Sequence, residues 1–75
     1  MRVLRDPMGR EWEVVVGRES WGTVVAIFVP RGWVEPPRQA LMSVSSTEEG
    51  DRLLLGMKAE ELQTLLVSSK PKPTG

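Results

Sequence analysis

Thr23-Val24-Val25-Ala26-Ile27-Phe28-Val29 is apolar on both faces and rich in β-branched side chains. Such a run suits a central strand, either covered on both sides or covered on one and paired with a partner on the other. Upstream, Glu11 to Val16 alternates: Trp12, Val14 and Val16 share one face, Glu11 and Glu13 the other, until Val15 intrudes. That period of two marks a half-buried strand. Between the two runs, Gly17-Arg18-Glu19-Ser20-Trp21-Gly22 is polar and bracketed by glycines, and reads as the loop that reverses the chain. Further back, Val3-Leu4 is a short apolar stretch. Asp6-Pro7-Met8-Gly9-Arg10 after it supplies a proline that presets φ and a glycine that tolerates positive φ, as a hairpin connection needs.

Downstream, Pro30 is expected to end the central strand, and Pro30 to Pro37, with Arg31-Gly32-Trp33 and the Pro36-Pro37 pair, to form an exposed loop. Arg38 to Val44 alternates loosely, with Ala40, Met42 and Val44 on one face, and predicts a fourth strand antiparallel to the third. At Ser45-Ser46-Thr47-Glu48-Glu49 a Ser is followed three residues later by Glu, the spacing of a capping box. The helix that starts there carries Leu53, Leu54 and Met57 inward, is weakened by Gly50 and stops at Gly56. Ala59, Leu62, Leu65 and Leu66 then form one apolar stripe on a second helix, with Glu60 and Glu61 in its first turn, where the macrodipole favours acids.

The predicted fold is α+β: about four antiparallel strands in a meander over residues 2–44, followed by two short C-terminal helices packed on one face. A five-stranded SH3-like barrel with a terminal helix is the competing arrangement. Residues 1–69 read as a single domain. Residues 70–75, alternating Lys and Pro before Thr74-Gly75, read as a disordered tail.

Composition narrows the chemistry. The 75 residues contain no His and no Cys, which removes disulfides, thiol nucleophiles and the commonest general base and metal ligand. The neighbouring acids Glu48-Glu49 and Glu60-Glu61 point about 100° apart on a helix, away from any shared site. Ser20 has no imidazole to activate it and sits in no nucleophile elbow, and a partnership with Lys58 has nothing to support it. A non-enzymatic protein with no cofactor, metal or small-molecule ligand is the expectation. The longest apolar run, Val24 to Val29, is far shorter than the ~20 residues that span a bilayer, and the charged start Met1-Arg2-Val3-Leu4-Arg5-Asp6 resembles no export signal. A cytoplasmic location is therefore expected. Absence of Asn and Cys and scarcity of Gln point to a thermophilic bacterial source.

Two loops pair a guanidinium with an indole: Arg18 with Trp21, and Arg31 with Trp33. Trp and Arg are enriched at interface anchors, so these four residues, with the exposed face or edge of the third strand, are the expected site for another protein or a second copy of the chain. Single-stranded nucleic acid, with bases stacked on the indoles, is the alternative. Charge disfavours it. Residues 1–44 carry six arginines against five acids, and residues 45–69 carry five acids against two basic residues.

Overall fold

The predicted strands all form, in one antiparallel sheet. The computed structural model describes residues 2–19 and 21–72. In chain order these contain β1 (Arg2–Arg5), β2 (Glu11–Arg18), β3 (Val24–Arg31), β4 (Arg38–Leu41), α1 (Thr47–Gly56), α2 (Ala59–Ser68) and a two-residue β5 (Lys70–Pro71). Neighbouring strands follow chain order from β1 to β5, an open α+β meander rather than a barrel.

The first two connections repeat one design. Gly9 N–H donates to the Asp6 carbonyl and Asp6 N–H to that of Arg10, both at 2.9 Å. Gly22 N–H donates to Glu19 and Glu19 N–H to Thr23, both at 2.8 Å. Gly9 at φ 84 and Gly22 at φ 85 each occupy the left-handed position that closes the turn. The second hairpin is tighter than its glycine brackets suggest, because β2 runs on through Gly17 and Arg18.

Pro30 does not end β3. It lies in the strand opposite Trp12, and pairing continues to Arg31 opposite Glu11. The hairpin bond from Glu19 to Thr23 sets the alternation of the ladder, which turns the Pro30 nitrogen away from β2. On that side β4 reaches only as far as Phe28, so proline's missing donor costs no hydrogen bond. β4 stops at Leu41, short of Val44, with one more bond from Met42 N–H to the Val24 carbonyl. The expected disordered tail begins instead as the fifth strand: Lys70 pairs with Gln39 and Pro71 with Arg38, and Lys72 N–H donates to the Pro37 carbonyl. Residues 73–75 lie outside those described.

Register places Leu4, Trp12, Val14, Val24, Ala26, Phe28 and Ala40 on one face, where they meet Met42, Leu54, Leu62 and Leu66 in the core. Val14, Ala26 and Phe28 are completely buried. Leu54 alone fills the place expected for Leu53 and Leu54. Leu53 and Ala59 are exposed, because each helix touches the sheet along a narrow line. Ser46 caps α1, accepting from Glu49 N–H at 3.2 Å. Gly50 marks the closest approach of α1: a Cβ there would stand 3.0 Å from one Val16 methyl and 3.3 Å from a Val24 methyl.

Neither helix has a basic residue in its last turn, where the macrodipole favours one. The sheet supplies it. Arg2 of β1 donates to the carbonyls of Leu54 and Met57, each at 2.9 Å, at the end of α1. Arg38 of β4 donates from Nε to Ser69 Oγ at 2.8 Å, and to the Ser69 carbonyl, at the end of α2. The second contact also aims the chain back along β4, which explains why β5 forms.

Candidate interaction surface

The two Arg–Trp pairs lie at opposite ends of β3, about 23 Å apart for a strand of this length. They form no single site. Trp21 is 91% exposed at the tip of the second hairpin, with Arg18 exposed at the end of β2. Ser20 lies outside the described residues.

Trp33 is built into the fold. Gly32, at φ 81, turns the chain back over β2, and Trp33 Nε1 donates to the Glu11 carbonyl at 2.7 Å. Its ring meets Trp12 edge-on, centroids 4.8 Å apart, and the Arg10 guanidinium lies 4.6 Å from its centroid. Arg10, not Arg31, is its cationic neighbour. Arg10 Nε in turn donates to Asp6 Oδ2 at 3.1 Å. Asp6 also accepts from Met8 N–H, Arg10 N–H and Trp12 Nε1. Burial by itself would raise the Asp6 pKa, but the hydrogen bonds from Trp12, Arg10 and Met8 outweigh it and hold the carboxyl below its ordinary 3.8. Four donors fill a carboxylate's acceptor sites, so Asp6 has none left for a ligand in the adjoining groove of about 310 Å³. Arg38, which also lines that groove, is committed to Ser69.

Arg31 faces away from the helices. The same register that builds the core sends Val3, Val15, Val25, Ile27, Val29 and Leu41 to the opposite face of the sheet, together with Arg5, Glu11, Glu13, Arg31 and Gln39. Among the described residues no helix covers this face. The Ile27 side chain lies over Gly17, 2.5 Å from where a Cβ would stand, and makes a flat apolar platform. Gln39 Nε2 reaches Glu19 Oε1 at 2.8 Å across β3, beside Val25, which is buried on this face while Val15, Ile27 and Val29 stay partly exposed. Arg31 Nε stands 3.9 Å from Glu13, and Arg5 Nη2 3.3 Å from Glu11. Leu41 remains 72% exposed.

Sequence reasoning named the exposed face or edge of β3 but not the β2 part of this platform, because Val15 read as an intrusion in the alternation when it is the matching partner of Ile27. The edges of β3 are taken, by β2 along its whole length and by β4 from Val25 to Phe28, which leaves only its face. The sheet's outer edges are also guarded. The Gln63 side chain donates to the Arg5 carbonyl on β1, while β5 is two residues long and carries Pro71.

The fold and this surface define a class: a two-layer α+β protein whose sheet is covered by helices on one side only. No family model, curated protein or solved structure matches the chain. Among the described residues no helix is long and apolar enough to cross a membrane, and no three acidic side chains of those residues converge as metal ligands would.

Proposed function

We propose that this chain is a small non-catalytic bacterial protein of the cytoplasm that works by binding protein, using the helix-free face of its sheet with the exposed Trp21 at the hairpin tip beyond one end, while the register turns Arg18 to the helix side. The observation that carries the reading is the platform of Val15, Ile27, Val29 and Leu41, apolar and without a cover among the described residues, on a sheet whose edges are blunted. Apolar area on the open face of a small sheet gains most by being buried, at roughly 25 cal/mol per Å² before the costs of association. A source that grows hot belongs to the same proposal, on the depletion of Asn, Gln and Cys.

The competing partner, single-stranded nucleic acid, has less support. Arg10 and Trp12 already engage the Trp33 ring, and Arg2 and Arg38 are spent on helix ends, so of the four expected residues only Arg18 and Trp21 remain as a stacking pair. Affinity capture separates the two. The full chain and its Ile27→Lys/Leu41→Lys variant serve as baits in bacterial lysate, with and without nuclease, at low and high salt. Protein that survives salt and nuclease on the native bait and is lost from the variant supports the reading. Identical capture by both baits, or retention that collapses with salt and nuclease, overturns it.

A further inference from the structure

The uncovered face carries a pattern that selects its occupant. Across β2 and β3 its rows read Glu11 with Arg31, Glu13 with Val29, Val15 with Ile27, and Gly17 with Val25. The Glu11–Arg31 and Val15–Ile27 rows are self-complementary when their two members are exchanged, and Val25 in the last row is already buried within the chain. A two-fold axis lying along the strands between β2 and β3 makes that exchange, because it sets β2 of one copy over β3 of the other in the same row. Glu11 then faces Arg31 twice, and Val15 faces Ile27 twice. The perpendicular axis in the same plane lays the charged row of Glu11 and Arg31 over Gly17 and Val25, and so desolvates charge without a partner. We infer that the face is occupied by a second copy of this chain, in a two-fold sandwich of sheets with reciprocal Glu11–Arg31 pairs at one end and Val15–Ile27 contacts at the centre. This rests on the reading of that face as the interaction surface.

Size and shape agree. The protein is a disc of 32 × 31 × 18 Å, its thin dimension one sheet plus one helix layer, and two such discs face to face are about as thick as they are wide. Five strands at ~4.8 Å spacing, three of them short, offer on the order of 500 Å² per copy. That is about 1,000 Å² in total, near the lower bound for a specific interface, so the dimer dissociates on dilution. Glu13 opposite Val29 is the one unfavourable row, and Arg31 at 3.9 Å on the same face tempers it.

The test is sedimentation of the full chain over a wide concentration range, with Glu11→Arg and Arg31→Glu chains run alone and mixed. Both side chains are exposed enough that folding, checked by circular dichroism, is retained. The native chain is expected to dimerise reversibly. Each single reversal should weaken that at least tenfold, by opposing like charges twice, and an equal mixture should recover it, because each chain then meets its complement. A native chain that stays monomeric throughout, single reversals that dimerise normally, or a mixture that fails to recover overturns the inference. If the native chain is monomeric while capture still depends on Ile27 and Leu41, only the identity of the occupant is wrong and the interaction surface stands.

Discussion

Trp33 stands perpendicular to Trp12, 88° between ring planes, and ties the loop after β3 to the start of β2. The contact crosses the sheet at the end where β4 gives β3 no support. Its role is to hold the fold, so truncation reads out in stability. Trp33→Ala should cost about 3 kcal/mol in chemical denaturation, the low end for tryptophan because the ring is half-buried. A change under about 0.5 kcal/mol would mean that the loop is held elsewhere.

Trp21 behaves oppositely. It touches little of its own chain, so Trp21→Ala should leave the unfolding midpoint within about 0.5 kcal/mol of the parent and weaken association more than fivefold, about 1 kcal/mol. Unaltered binding by sedimentation or capture would remove Trp21 from the surface.

Asp6 gives the acid limb of stability a specific origin. Its folded pKa lies below the unfolded value, so its contribution is complete above the ordinary carboxylate range and is lost as pH falls through the folded value. Asp6→Asn should therefore lower the melting temperature at neutral pH, and the gap between variant and parent should narrow on acidification. A gap independent of pH would assign the loss to geometry rather than charge.

Gly50→Ala tests the close approach of α1. Helix propensity alone predicts a gain of about 1 kcal/mol. The Val16 and Val24 methyls at 3.0 and 3.3 Å reverse the sign, to a loss of about 1 kcal/mol in thermal or urea unfolding. A stabilised variant would show that the helix lifts freely from the sheet.

Glu13→Gln addresses the unfavourable row of the sandwich. Removing the charge that faces Val29 of the second copy should tighten dimerisation severalfold in the same sedimentation series. Weaker dimerisation would mean that Glu13 meets a cation of the other copy.

The alternation in β2, the β-branched run of β3, the Ser46 cap and the leucine stripe of α2 were all legible in the sequence, because each depends on neighbours three or four residues away at most. β5 was not. Two residues in a proline-rich stretch carry no periodic signal, and the strand exists because a side chain 32 residues earlier, Arg38, steers Lys70. Leu53 was misplaced because adjacent leucines on a helix look equally apolar until the line of contact is known. The same limit explains the site. Arg18 with Trp21 and Arg31 with Trp33 have similar local composition, but a hairpin tip must point outward, whereas Gly32 folds Trp33 onto a strand whose proximity only the sheet reveals.

The guanidinium of residue 2 reaches the carbonyls of residues 54, 55 and 57, and residue 63 reaches back to residue 5. During synthesis, then, β1 is made well before the helices whose carbonyls and side chains satisfy it. Until α2 has cleared the exit tunnel, the nascent meander shows apolar surface on both sides, and a stalled or shortened translation product is a ready substrate for holdase chaperones and proteases.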